Sequence, residues 1–362
     1  MKMKQFMLVT LALVMLLASC GQTNSTQKGD TTDMTTTEAR EYSNVHLDTF
    51  EGLLIHGRTM PIEKGKLGLE WSWSGFTIQG WFDGAIVANV ETVGQLGAIL
   101  RVEVDGGESQ PITIPLGNKT VILADVAKGY HTITVRKATE GSTSRITLKS
   151  LDFKGELDKA PETPTLKIEF IGDSITNGVG SYPEAVTNWD YLTHCDAYYS
   201  YATMVGKALN ADVHLTAISG WGVVRGSTST DHQLPLVYDL ISHEVDKEAK
   251  WDFSSWQPDV VVIALGTNDE GIAPGQFMPA ALKFLKTVRE KNPNAYIVWM
   301  YGMMSVKHTA AIELAISEMN DDKIVFLTQD TNAAGGWGHP TYEAQCAYAA
   351  KLLDLLKPIV SK

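Results

Sequence analysis

The alternation of hydrophobic and polar positions changes its period once along the chain. Between about residues 44 and 157, as in "GAILRVEVDG" and "KTVILADV", apolar and polar residues alternate, and Gly, Asp, Asn and Ser interrupt the runs. A period of two is typical of half-buried strands, and several short strands without helical segments favour an antiparallel sandwich. We therefore predict an all-β sandwich over residues 44–157, with a tight hairpin at the Asp-Gly of "VDGG".

After a predicted linker at residues 158–165, which contains two prolines, the pattern becomes that of an α/β protein. Five short apolar runs with few charges are typical of parallel strands covered on both faces. Segments with apolar residues three and four positions apart predict helices between the strands and at the chain end. We predict a doubly wound parallel sheet over residues 166–362. The five predicted strands are "LKIEFIG", "VHLTAIS", "DVVVIALG", "AYIVWMYG" and "KIVFLTQ".

The first twenty residues predict a targeting segment. Two lysines precede an apolar run from Phe6 to Leu17 that is too short to span a bilayer. The following "LASC" resembles the lipobox of bacterial lipoproteins, in which the cysteine, here Cys20, is lipidated. Residues 1–19 are then a lipoprotein signal peptide, and residues 20–43, rich in Ser, Thr and Gly, are a disordered tether. The expected location is the bacterial cell envelope, with a lipid anchor in the membrane. The alternative is that the N-terminal segment is an ordinary secretory signal in which the cysteine is incidental.

Charge and cysteine content narrow the function classes. The net charge of −12 argues against a nucleic-acid partner, because phosphate binding depends on clustered Lys and Arg. Two cysteines, Cys195 and Cys346, remain beyond the targeting segment. They can pair in an oxidising envelope or remain as two buried thiols, and they do not make a metal site by themselves.

Candidate chemistry lies at the ends of the predicted parallel strands. Ser174 follows the first strand, Gly220 the second and Asn268 the third, while the fifth leads to Asp330 and on to His339 in "GGWGHP". Ligands of open parallel sheets bind beyond the carboxyl ends of the strands. A nucleophile, a base and hydrogen-bond donors for an oxyanion are therefore expected at one edge, which is the set of groups that acyl transfer requires.

These motifs resemble the ordered blocks of the GDSL/SGNH hydrolase superfamily, in the form "IGDSITNG", "AISGWG", "LGTND" and the final His-Pro. With the β domain in front, the chain resembles carbohydrate esterase family two, the acetyl-xylan-esterase-like enzymes. Two segments of the β domain, "HGR" at 56–58 and "GYHTITVRKATEG" at 129–141, also resemble that family. The resemblance implies an SGNH-type, flavodoxin-like three-layer domain preceded by a jelly-roll sandwich.

The resemblance also implies roles for individual residues. Ser174 is similar to the family nucleophile, and His339 is similar to the base that takes the serine proton and later protonates the leaving alkoxide. The backbone N–H groups of Ser174 and Gly220 and the side-chain amide of Asn268 match the oxyanion hole. Taken alone, Ser174 is also a good helix N-cap and Asn268 a good turn residue.

Four other residues near these motifs are candidates for structural or binding roles. Asp173 and Asp269 belong to the motifs and are interpreted as organisers of their loops. Trp221 and Trp337 lie in predicted rim loops, where a tryptophan either stacks on a sugar or belongs to the core.

The histidine block departs from the superfamily at Gly336, where an aspartate usually stands three residues before the histidine. In one explanation, a backbone carbonyl of the glycine-rich loop accepts the Nδ1 hydrogen of His339, which gives a Ser–His dyad. In the other, Asp330 returns to the ring and serves as the acid. We favour the dyad, which is known in family two.

The function that the resemblance implies is that of a carbohydrate O-acetylesterase. It would deacetylate xylan, glucomannan or their oligosaccharides through a serine acyl-enzyme, without a metal or organic cofactor. Two alternatives stay open. The chain is a lipase- or thioesterase-like hydrolase of longer acyl chains, or it is a decayed glycan-binding surface lipoprotein.

Overall fold

The computed structural model describes residues 41–61, 65–184, 186–245 and 247–361. The predicted signal peptide, the lipidation residue Cys20 and most of the predicted tether lie outside the described residues. The last three tether residues, 41–43, have no regular secondary structure. Within the described ranges, no helix combines the length and apolarity that a membrane crossing needs.

Within these ranges, the N-terminal domain consists of nine strands that pair in antiparallel fashion, as the period of two predicted. They are β1 (Asn44–Leu47), β2 (Leu54–His56), β3 (Thr59–Pro61), β4 (Leu67–Leu69), β5 (Gly75–Gly94), β6 (Ala98–Val104), β7 (Gln110–Ile114), β8 (Gly117–Lys137) and β9 (Ser144–Leu157). The long strands β5 and β8 pair over most of their length, with register shifts at Phe82/Gly84 and Ile86/Val87. Such shifts bend long strands.

The apolar positions of the alternation enclose one core of the β domain. Phe82, Ile86, Ile133 and Leu151 are fully buried there. The predicted hairpin joins β6 to β7 through residues 105–109, and both residues of the Asp-Gly pair have positive φ, at 53° and 71°.

Five strands of the described chain form a wholly parallel sheet in the second domain, as predicted. They are β10 (Lys167–Gly172), β11 (Asp212–Ala217), β12 (Val260–Ala264), β13 (Tyr296–Tyr301) and β14 (Ile324–Thr328), in the order β11-β10-β12-β13-β14. The helices are α1 (Tyr191–His194), α2 (Tyr201–Ala208), α3 (Pro274–Lys291), α4 (Thr309–Met319) and α5 (Tyr342–Val360). The order reverses at β10, which is flanked by β11 and β12, and such a switch point is where ligands bind.

Helices cover both faces of the parallel sheet. One core contains α3 and α4, and the other contains α2 and α5. Burial on both faces explains why all residues of β11 and β12 are buried. The sequence pattern had not singled out α1 and α2, because helices of four and eight residues show too little of the helical period. The two described cysteines are both free, Cys195 buried and Cys346 half-buried.

Buried charges join the two domains. Nη2 of Arg58, from the β domain, lies 2.7 Å from Oε1 of Glu169 in β10, and both side chains are almost fully buried. Arg101 in β6 forms a second buried pair with Asp196, 2.6 Å apart. A buried charge that loses its partner is costly, so these pairs make the packing of the domains specific.

Candidate active site

Ser174 and His339 meet at the carboxyl edge of the parallel sheet. Ser174 follows β10 by two residues, and His339 lies between β14 and α5. Nε2 of His339 is 2.8 Å from Oγ of Ser174. This is the distance at which an imidazole accepts a hydroxyl proton. The serine is 7% exposed, so little of its surface is accessible to solvent.

The turn that carries Ser174 is organised by the buried Asp173. Its carboxylate accepts the N–H of Ile175 at 3.0 Å, and its carbonyl oxygen accepts the N–H of Asn177 at 3.1 Å. Burial raises the pKa of Asp173 to about 7. Asp269 is also buried and accepts the backbone N–H groups of residues 223–225 at 2.8–3.1 Å. Both aspartates thus have the contacts of loop organisers.

Two of the three expected oxyanion donors are unoccupied backbone groups. Within the described residues, the backbone N–H groups of Ser174 and Gly220 make no hydrogen bond. Gly220 has a φ of 78°, a left-handed conformation that glycine adopts without steric cost. Both groups are therefore available to a developing oxyanion.

The third expected donor, Asn268, is engaged in the protein. Its Nδ2 donates to Oδ2 of Asp173 at 3.1 Å and to the carbonyl oxygen of Trp221 at 2.9 Å. A side-chain amide has two N–H groups, so Asn268 reaches an oxyanion only if one of these bonds is exchanged. The structure brings Asn268 to the site without leaving a donor free.

A backbone carbonyl lies beside the other ring nitrogen of His339. The Nδ1 atom is 3.3 Å from the carbonyl oxygen of Gly336. A Cβ added to Gly336 would lie 2.5 Å from the indole ring of Trp189. An aspartate therefore has no room at this position unless Trp189 moves.

The environment of His339 favours the neutral imidazole. Burial lowers the pKa of His339, and this effect exceeds the opposing effects of the carbonyl groups of Gly336 and Trp337 and of the negative charge of Glu140. A neutral ring is the form that can act as a base.

Asp330 lies apart from the imidazole. It is exposed, and its carbonyl oxygen accepts the hydroxyl of Tyr348 at 2.9 Å. Among the described residues, no hydrogen bond links the Asp330 carboxylate to His339. No contact among the described residues therefore supports Asp330 as the acid that orients His339.

The two predicted tryptophans differ in what they offer a ligand. Trp337 is 46% exposed and neighbours Tyr191 and Trp189, with ring centroids 5.4 and 5.5 Å away. Trp221 is half-buried and stacks in parallel on His232 at 5.0 Å, so one of its faces is covered. Trp337 is thus the better placed of the two for stacking.

Three residues near the site escaped sequence reasoning. Trp189 and Tyr191 lie in the polar-aromatic insertion between the first two parallel strands, which contains no superfamily block. Glu140 lies in the β domain, inside the family-like segment 129–141, and a strand pattern marks it only as a polar position. Its carboxylate nevertheless accepts the backbone N–H of Ser219, next to Gly220, at 2.8 Å.

Two family models match the chain. The GDSL-like lipase/acylhydrolase family matches residues 170–353, slightly more than half of the chain. The carbohydrate esterase 2 N-terminal model matches residues 55–161. The two matches together cover both domains of the fold.

Curated relatives carry esterase names. The chain is 30% identical over 260 residues to the cellulase/esterase CelE of Acetivibrio thermocellus, covering 70% of this chain and 31% of that protein. It is 29% identical over 247 residues to an acetylxylan esterase / glucomannan deacetylase of Cellvibrio japonicus, covering 64% of this chain and 68% of that protein. The chain therefore spans less than a third of the first relative's length.

Solved structures share the fold. A family two carbohydrate esterase from Cellvibrio japonicus superposes with a TM-score of 0.80 at 23% identity, over 88% of this chain and 98% of that one. A family two carbohydrate esterase from Clostridium thermocellum, in complex with cellohexaose, has a TM-score of 0.79 at 25% identity, over 86% and 99%. The two-domain architecture is thus common to this chain and these enzymes.

Proposed function

The chain belongs to the GDSL-like lipase/acylhydrolase family and carries a carbohydrate esterase family two N-terminal domain, and from this we propose that it is a carbohydrate O-acetylesterase. The observation that carries the proposal is the 2.8 Å approach of His339 Nε2 to Ser174 Oγ beside two free backbone N–H groups. The esterase names of the relatives support the substrate class.

In the proposed reaction, Ser174 Oγ attacks the acetyl carbonyl carbon while His339 Nε2 takes its proton. The N–H groups of Ser174 and Gly220 stabilise the oxyanion of the tetrahedral intermediate. The intermediate collapses as the imidazolium protonates the departing sugar oxygen, which leaves an acetyl-enzyme. Water, deprotonated by His339, then attacks this ester, and acetate leaves as Ser174 regains its proton.

The proposed catalytic pair is a dyad. The carbonyl oxygen of Gly336 accepts the Nδ1 hydrogen of His339. This bond selects the tautomer in which Nε2 is unprotonated and can accept the proton of the serine. A neutral carbonyl orients the ring, but it stabilises the imidazolium less than a carboxylate does.

The proposed substrates are acetylated plant-type polysaccharides, xylan or glucomannan, or their oligosaccharides. The relative from Cellvibrio japonicus is named for both activities, and the structure from Clostridium thermocellum contains cellohexaose. Trp337, exposed beside the dyad, is the proposed stacking face for a sugar ring.

A comparison of acyl chains tests this proposal. We expect the protein to hydrolyse an aryl acetate with a kcat/KM at least about tenfold above that for the aryl octanoate, with Ser174→Ala as background. NMR of acetylated xylan and glucomannan before and after treatment should then show loss of acetyl signals. Preference for octanoate would contradict the acetylesterase proposal, and no turnover on either ester would favour a glycan-binding protein.

We further propose that the protein is a lipoprotein of the bacterial cell envelope, anchored by a lipid on Cys20. The support is the short apolar run and the "LASC" that ends at Cys20. In bacterial cells fed an alkyne fatty acid, the natural chain should acquire the label and Cys20→Ser should not. Equal labelling of both proteins would refute the anchor.

A further inference from the structure

Glu140 is a buried carboxylate that the β domain places behind the hydrolase centre. It is 3% exposed. One oxygen accepts the hydroxyl of Tyr191 at 2.6 Å, and the other accepts the side-chain amide of Asn177 at 3.1 Å and the backbone N–H of Ser219 at 2.8 Å. All three donors belong to the parallel-sheet domain, so Glu140 crosses the domain boundary to reach them.

The three donors belong to segments that build the site. Ser219 directly precedes Gly220, whose N–H is one of the expected oxyanion donors. Asn177 closes the turn that carries Ser174, and its side-chain oxygen Oδ1 also accepts the hydroxyl of Ser72 from the β domain at 2.8 Å. Glu140 therefore holds the two backbone turns that surround the nucleophile.

The third donor connects Glu140 to the histidine loop. The ring of Tyr191 packs against Trp337, two residues before His339, with centroids 5.4 Å apart. The loss of this contact would loosen the loop that carries the base.

The negative charge of Glu140 is not neutralised by a direct ion pair. Within the described residues, no Lys, Arg or His forms a salt bridge with it. The nearby Lys137 instead donates to the carbonyl oxygens of Glu70 and Thr139, and burial lowers the pKa of Lys137 to about 7. A buried charge that is hydrogen-bonded by neutral donors acts over a longer range than a paired one.

Among the described residues, four titratable groups besides His339 have pKa values that are shifted in part by the charge of Glu140. Asp173 comes from the turn after β10, Tyr191 from α1, Cys195 from the end of α1, and Lys137 from β8. Burial raises the pKa values of the first three, and the charge of Glu140 raises them further. Of these groups, Tyr191 and Cys195 stay neutral at physiological pH, whereas Asp173 and Lys137 titrate near neutrality.

We propose that Glu140 is a positioning residue of the hydrolase centre: it fixes the turn before Gly220 and supplies, from the β domain, the negative charge that Gly336 lacks. This inference rests on the proposed function of Ser174 and His339. The charge stabilises the imidazolium that forms when His339 takes the serine proton, although the two groups make no hydrogen bond. The β domain is then part of the active site.

The test changes the charge and the length of the residue 140 side chain in separate variants. Glu140→Gln removes the charge and keeps the length, so the imidazolium becomes less stable and the basic form of His339 persists to lower pH. We expect the acid limb of kcat/KM on an aryl acetate to move down by ~0.5–1 pH unit and kcat to fall about tenfold. Glu140→Asp keeps the charge and shortens the reach, so kcat should fall while the acid limb stays.

Tyr191→Phe is the matched control. It removes one hydrogen bond to Glu140 but leaves the charge and the ring beside Trp337, so the acid limb should again stay. Because Asp173 also titrates near neutrality, the ¹⁵N shifts of the His339 imidazole, assigned against His339→Gln, must be followed directly. The pKa of His339 should fall in Glu140→Gln and remain in Glu140→Asp and Tyr191→Phe.

An unchanged His339 titration in Glu140→Gln would overturn the inference, since loss of packing alone does not remove a charge. An equal fall in all three variants would also overturn it. The imidazole titration does not require turnover. A wild-type chain that hydrolyses no ester would therefore refute the proposed function, while the titration of His339 in the Glu140 variants would still test the effect of the Glu140 charge.

Discussion

Replacement of His339 by alanine is expected to lower kcat on an aryl acetate by about 10⁴- to 10⁶-fold. The Ser174 hydroxyl is a weak nucleophile at neutral pH, and His339 Nε2, 2.8 Å from Ser174 Oγ, is the proposed base. Residues that act as one unit have non-additive effects, so Ser174→Ala and the Ser174→Ala/His339→Ala double variant should lose about as much as His339→Ala alone. Stopped assays at high enzyme concentration can measure these rates.

Asp330→Asn is the discriminating control for this prediction. Its carboxylate is exposed and makes no described contact with His339, so we expect kcat within about threefold of wild type. A loss comparable to that of His339→Ala would overturn the dyad and restore Asp330 as the acid of a triad. Additive losses in the double variant would show that Ser174 and His339 do not act together.

Arg58→Ala is expected to lower the free energy of unfolding by about 3–5 kcal/mol. The guanidinium pairs with Glu169 and also donates to the carbonyl oxygens of Tyr238 and Leu240. Removal of Arg58 leaves the Glu169 charge buried, and among the described residues the hydroxyls of Thr216 and Tyr238 are the remaining side-chain donors to it. Urea denaturation followed by tryptophan fluorescence measures the loss.

Lys250→Ala provides the matched control for Arg58→Ala. Lys250 pairs with Asp239 at 2.9 Å, but the side chains are 59% and 36% exposed, and surface pairs contribute at most about 1 kcal/mol. If Arg58→Ala were as mild as Lys250→Ala, the buried pair would not hold the domains together. The double variant Arg58→Met/Glu169→Leu, which leaves no charge unpaired, should recover much of the lost stability.

Most of the fold was predictable because it depends on local patterns. Alternation with a period of two predicted the β domain, and short apolar runs between helical segments predicted the parallel sheet. The same reasoning missed α2, whose eight residues include Tyr201 and Val205, both fully buried. Such a short helix is stabilised by packing against α5 and the sheet rather than by its own pattern.

The candidate nucleophile and base were predictable for a similar reason. Ser174 and His339 lie in short motifs, and the parallel topology places the carboxyl ends of all strands on one edge. Their meeting across 165 residues follows from that topology. The availability of the Asn268 amide did not follow, because its two acceptors come from separate loops.

The sequence by itself determined the two architectures, the order of the motifs and the absence of an aspartate three residues before His339. Only the tertiary structure decided what lies at that place: the ring of Trp189 is 2.5 Å from where a Cβ of Gly336 would be, and the Gly336 carbonyl lies beside Nδ1. It also decided that Glu140 reaches the site from the other domain. The contacts of Trp189 and Glu140 join residues tens to hundreds of positions apart, and periodicity and spacing carry information only about neighbours along the chain. The contact of Gly336 with His339 spans only three residues, but neither pattern records the loop conformation that turns this carbonyl toward the ring.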